Sequence, residues 1–73
     1  MSLYSTISTR RKTLGISQND LAEMSGVSLA TIKNIERGAG NPSFQTVEKI
    51  LSVLGLEIQF KVRSPFDRQL LEL

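Results

Sequence analysis

Residues 18–38 read QNDLAEMSGVSLATIKNIERG. They predict two short helices separated by a tight turn at Gly26. Ser17 stands just ahead of the first and suits an N-cap, its hydroxyl accepting from a free amide of the opening turn. Leu21, Ala22 and then Met24 or Ser25 keep a helical period. Ala22 is small where a larger side chain would hold the next helix away. Gly26 takes a positive φ at the helical exit, which a residue with a Cβ adopts only at a cost. Val27 is apolar and anchors the turn. Ser28 caps the second helix. Ile32 and Ile35 point inward, and Ala30, Thr31, Lys33 and Asn34 are free to face outward. Gly38 closes it.

Further helices are predicted on either side. Residues 3–14 form a first helix with Ile7 and Leu14 inward and Gly15 as exit. Residues 38–42, GAGNP, read as a loop. A fourth helix starts near Ser43, where Phe44, Val47, Ile50, Leu51 and Leu54 make one broad apolar face. Gly55 ends it. There is no internal repeat and no low-complexity segment.

Residues 56–63, LEIQFKVR, alternate apolar and polar side chains without a break. Leu56, Ile58, Phe60 and Val62 share one face; Glu57, Gln59, Lys61 and Arg63 share the other. This is the period-two signal of a strand. No second strand pattern exists in the chain, and a lone strand leaves its backbone groups unpaired on both edges. The simplest remedy is antiparallel pairing with the same segment of a second copy about a two-fold axis. Residues 64–73, SPFDRQLLEL, follow as a tail: Pro65 breaks the strand, and Phe66, Leu70 and Leu73 fall on one helical face.

Composition narrows the function classes. Seventy-three residues make one domain, and a chain of this size buries only about 60% of its unfolded surface. A dimer ribbon would supply extra burial. The sequence has no Cys and no His, so thiolate metal sites, disulfides and the usual acid–base and thiol-nucleophile sets are absent. The segment GAG at 38–40 lacks the Lys-Ser/Thr ending and preceding strand of a phosphate-cradling loop. The expectation is therefore not an enzyme, with no cofactor and no metal. No apolar run approaches the roughly 20 residues of a membrane span, and no secretory signal is visible, which leads to the expectation of a cytoplasmic protein. Net charge is +2 and the pI about 9.4. That balance mildly favours nucleic acid, although placement matters more than the total.

These residues carry a resemblance. Gln18, Ala22, Gly26, Ile32, Ile35 and Glu36-Arg37-Gly38 resemble the pattern of the Xre/Cro-type helix-turn-helix family, which includes lambdoid phage repressors. Asn41-Pro42-Ser43 with Val47, Ile50, Leu51, Leu54 and Gly55 resembles its next loop and helix; Ile7 and Arg11 suit its first. The likeness covers about residues 3–56. It implies a mainly α fold, a lambda-repressor-like bundle of four to five helices, here with one C-terminal β-strand pairing across a homodimer. Residues 1–55 are then the DNA-binding part, 56–63 the dimerisation strand and 64–73 the tail of a single domain. By the same resemblance, Arg11 and Glu36 form a partly buried ion pair, and Gln18 contacts a phosphate. A compact domain ending in one dimerising strand is most similar to the HipB-type antitoxins, which repress their own operon and bind a kinase-like toxin. That likeness implies an autoregulating antitoxin whose tail reaches its toxin. The plain alternative for the tail is a segment that folds back on the dimer core or frays.

A reading helix enters the major groove of double-stranded DNA N-terminus first. Ser28, Leu29, Ala30 and Lys33 are the expected base-edge contacts, with Thr31 and Asn34 next. Lys33 can donate to guanine, Ala30 or Leu29 can pack on a thymine methyl, and Asn34 can bond adenine or reach a phosphate. Asn41 and the free amides near Ser43 suit phosphates. Arg10, Lys12 and Arg37 read as a solvated or phosphate-facing fringe, and Arg10 stands where relatives often carry an apolar residue. Each reading has a bland counterpart: Ser28 as a cap alone, Gln18 and Lys33 as solvated surface, Asn41 as a loop former. Two other functions stay open. One is a phage-type repressor or controller protein with no toxin partner; the other is a toxin-binding module with secondary DNA binding.

Overall fold

The computed structural model describes residues 2–62. Met1, Arg63 and the expected tail 64–73 lie outside the described residues. Four helices follow in order: α1 (Leu3–Thr13), α2 (Gln18–Ser25), α3 (Leu29–Glu36) and α4 (Phe44–Leu54).

Each helix begins on a serine. The hydroxyls of Ser2, Ser17, Ser28 and Ser43 accept from the amides of Ser5, Asp20, Thr31 and Thr46, at 3.1, 2.9, 3.2 and 3.1 Å. These bonds satisfy amides that a helix start leaves without a partner. At α2 the cap is reciprocal, because the Asp20 carboxylate also accepts from the Ser17 amide at 2.9 Å. That backbone bond, with help from the Ser17 hydroxyl, holds the Asp20 carboxyl below its ordinary pKa.

The helix ends are equally local. At Gly26 the backbone turns left-handed, φ 73°, and its amide bonds to the Ala22 carbonyl at 3.0 Å. At Gly55, φ 70°, two bonds close α4: Gly55 to Ser52 at 3.3 Å and Leu56 to Leu51 at 2.9 Å. The second bond carries the chain back alongside the helix it has just left.

The core is built from Ile7 of α1, Leu21 and Ala22 of α2, Ile32 and Ile35 of α3, and Val47, Ile50, Leu51 and Leu54 of α4. α4 therefore supplies the largest share, and it packs against both α1 and α2. Tyr4, Ile16, Val27, Leu29, Val53 and Leu56 close over this centre, partly buried.

Two residues expected inside are outside. Leu14 is 43% exposed, because it is the C-cap of α1, where the chain has begun to leave the core. Phe44 is 54% exposed. It is the first residue of α4, and its ring lies at the edge of a surface groove rather than in the bundle. Met24, one of two residues considered for the inner period of α2, is also exposed, while Ser25 is half-buried.

The expected strand does not form within one chain, since the described residues hold no second strand for it to pair with. Leu56 rests on the core. Beyond it, Ile58, Phe60 and Val62 are 37%, 90% and 85% exposed. The Gln59 amide donates to the Glu57 carboxylate at 3.0 Å. Residues two apart thus lie on one side, as an extended backbone requires.

The Gly26 turn yields a clean test, because a Cβ built there meets nothing within 4 Å. Gly26→Ala should therefore cost only the backbone term, about 1–2 kcal/mol. Gly26→Asn, whose side chain tolerates the left-handed region, should cost less. Urea denaturation of the three proteins checks the order.

Candidate nucleic-acid interface

The side chains of α3 divide cleanly. Ile32 and Ile35 are each 1% exposed. Ala30 and Lys33 are exposed, and Leu29, Thr31 and Asn34 are half-buried. Leu29 leans on the core, so only part of its side chain is open to a ligand.

The orientation of this helix is fixed by a polar network at its C-terminal end. Arg11 of α1 grips Glu36 with two bonds, Nε to Oε2 at 2.7 Å and Nη2 to Oε1 at 2.9 Å. The two side chains are only 11% and 7% exposed. Arg11 Nη1 also donates to the Ile16 carbonyl at 2.9 Å. Gln18 Nε2 donates to Glu36 Oε1 at 3.1 Å. One carboxylate thus joins α1, α2 and α3. Burial by itself would raise the pKa of Glu36. The bonds from Arg11 and Gln18, the Arg11 charge and the Ser8 side chain outweigh it and hold the carboxyl below its ordinary 4.5. The Glu36 hydrogen bond likewise pushes the Arg11 pKa up.

This pairing also sets the charge of the outer face. Glu36 is the only carboxylate on α3 and it is neutralised inward. Lys33 and Arg37 remain exposed. Arg37 Nη2 donates to Asn34 Oδ1 at 2.6 Å. Since a guanidinium only donates, the Asn34 amino group is the end left unpartnered in that pair.

The hydroxyls are committed locally. Ser28 Oγ accepts from the Thr31 amide and donates to Thr31 Oγ1 at 2.8 Å. Ser43 repeats the arrangement with Thr46, its hydroxyl donating at 2.9 Å. Thr31, Asn34 and Asn41 come together around a concavity of about 200 Å³ between α3 and the loop 39–42. Gln18 does not line that concavity, and its side chain is engaged by Glu36.

Three contacts had no signal in the sequence or only a weak one. Arg10 Nε donates to the Leu54 carbonyl at 2.9 Å, so it caps the C-terminus of α4 instead of lying in a solvated fringe. No spacing pattern relates residues 44 apart. Gln18 turning toward Glu36 is equally a long-range event. Arg37 with Asn34 was findable, because residues three apart are neighbours on a helix surface. Among the described residues no cluster of three potential metal-ligating side chains forms, and no helix is long and apolar enough to cross a membrane.

A capped helix, a left-handed glycine turn and a second helix with one buried and one open face define a helix-turn-helix. The helix-turn-helix family model matches residues 7–61, and the chain belongs to that family. It is 42% identical over 55 residues to an uncharacterized HTH-type transcriptional regulator of Haemophilus influenzae, a match covering 75% of this chain and 56% of that protein. It is 41% identical over 51 residues to another so described from Methanothermobacter thermautotrophicus, covering 70% and 74%. The chain thus spans little more than half the length of the first relative and about three quarters of the second.

The ion pair has a pH signature. A carboxyl whose pKa is lower folded than unfolded stabilises the fold above its unfolded value, and that contribution is lost as pH falls through the lower folded value. Glu36→Gln leaves the Arg11 charge uncompensated in a buried place and should cost about 3 kcal/mol at pH 7. The gap between the two proteins should narrow as pH drops below 4.5. Replacing both partners by apolar residues, Arg11→Met with Glu36→Leu, should cost less than Glu36→Gln alone. Thermal melts from pH 7 to pH 3 read all three.

Proposed function

We propose that this chain is a sequence-specific DNA-binding repressor that acts as a homodimer on an inverted-repeat operator. The carrying observation is the split of α3: Ile32 and Ile35 are buried while Ala30 and Lys33 stand open beside a positive fringe. Such a helix offers its N-terminal residues to the major groove, and two of them about 34–36 Å apart reach successive grooves on one side of a duplex. Occupancy of the operator then blocks transcription.

In this reading Lys33 donates to guanine, and Ala30 with the open part of Leu29 packs on a thymine methyl. Ser28 and Thr31 lie at the leading end. Asn34, held through its oxygen by Arg37, presents its amino group and is suited to phosphate. Asn41 and the α4 start at Ser43 take a neighbouring phosphate. Gln18 contributes its remaining amide hydrogen and the free backbone amides of α2. The exposed apolar row Ile58, Phe60 and Val62 supports the dimer.

The same C-terminal segment supports the finer reading, an autoregulating antitoxin of a HipBA-like pair with a kinase-like toxin partner. A repressor without a toxin is the competing account. Co-purification with the neighbouring gene product separates them: a stable complex supports the antitoxin, and the absence of one removes it.

Gel-shift titration on the upstream DNA of the chain's own operon tests the repressor. The wild type should protect a palindrome and weaken as salt rises. Lys33→Ala should lose about 1–3 kcal/mol of affinity and relax base preference at one position of each half-site. An equal loss on every sequence would make Lys33 a phosphate contact. Absence of any protected palindrome would overturn the proposal.

A further inference from the structure

We propose that the groove beside α4 receives Phe60 of a second copy, in an antiparallel ribbon whose two-fold axis passes through Gln59. The inference rests on the homodimer proposed above and adds its register and the occupant of the groove.

The groove, of about 350 Å³, has Phe44, Glu48 and Leu51 of α4 on one side and Leu56, Ile58 and Phe60 on the other. Two phenyl rings more than half exposed, Phe44 and Phe60, border it. The segment that forms its second wall is anchored at its start. The Leu56 amide is bonded to the Leu51 carbonyl at 2.9 Å, and Arg10 holds the Leu54 carbonyl at 2.9 Å. The extended part available to a partner therefore begins after Leu56.

Few registers survive. Opposed residues in an antiparallel pair lie on the same face, so any register pairing even with odd positions sets Ile58 against a polar partner. An axis at Ile58 brings Lys61 opposite Gly55, whose backbone is turned left-handed and cannot continue a strand. An axis at Phe60 pairs Glu57 with Arg63 but sets the two Phe60 rings against each other on the axis, so that neither lies opposite the other copy's Ile58, and leaves Lys61 facing neutral Gln59. With the axis at Gln59, Ile58 meets Phe60 and Glu57 meets Lys61, each twice by symmetry. Each Phe60 then lies beside the other copy's Ile58, over its groove. The Glu57 and Lys61 charges pair; Glu57 stands at the groove's border and already shares one side of the segment with Gln59. Cross-strand aromatic–aliphatic and opposite-charge pairs both stabilise a ribbon.

The chain has no cysteine, so Gln59→Cys places a single thiol on the axis. Opposed Cα atoms in an antiparallel pair are about 4.5–5.5 Å apart, within the range of about 4.4–6.8 Å that a disulfide bridges. One register away the thiols fall on a diagonal of about 7–8 Å. Under mild oxidation Gln59→Cys should convert nearly completely to a covalent dimer that still folds by circular dichroism. Sedimentation of charge variants gives an independent reading. Glu57→Lys and Lys61→Glu should each raise the dimer dissociation constant roughly tenfold, and the double variant should return it to near the wild-type value. A dimeric wild type in which Gln59→Cys does not cross-link, or in which the double swap gives no rescue, overturns the register and leaves the dimer standing. A wild type monomeric at high micromolar concentration overturns both.

Discussion

The arrangement depends on the grip of Arg11 on Glu36. Burial of Ile32 and Ile35 draws α3 onto the bundle, but apolar contact has no direction and allows a helix to roll by some degrees. A bidentate guanidinium–carboxylate pair has a fixed plane. Placed at the last turn of α3 and joined by Gln18, it ties that helix to both elements before it. Little net stability is to be expected from such a pair, since desolvating two charges offsets much of their attraction. Its effect is to fix which side chains of α3 face away, through a contact made at the last turn of that helix.

The rest of the bundle is organised by α4. Its four core residues make it the element on which α1 and α2 rest, and its C-terminus is closed twice, by the Gly55 turn and by Arg10. The direction in which residues 56–62 leave the bundle is therefore set by the same helix that completes the core. In a dimer built from that segment, the spacing of the two α3 helices would be inherited from α4 through a few hydrogen bonds.

The legible features were short-range ones. Ser17, Gly26, Ser28, Gly38, Ser43 and Gly55 mark boundaries because capping and left-handed turns act over three to five residues. The period of Ile32, Ile35, Val47, Ile50, Leu51 and Leu54 gave the inner faces for the same reason. Leu14 and Phe44 fit their helical periods and still point outward, because both stand at helix ends where the core has run out; periodicity carries no information on where a neighbour stops. Arg10 and Gln18 find partners far along the chain, and spacing alone gives no hint of either. The Arg11–Glu36 contact was expected only by likeness to a family, since nothing local links residues 25 apart. The alternation in residues 56–62 is plain, but one chain cannot show what an unpaired strand pairs with.

The four serine starts bear on how quickly this protein forms. Each described helix has its start written in neighbouring residues, although helices this short are held by packing against one another. Small helical domains assembled from such self-delimited pieces fold in microseconds to milliseconds. Folding of the four described helices is therefore not expected to contain a slow conformational step.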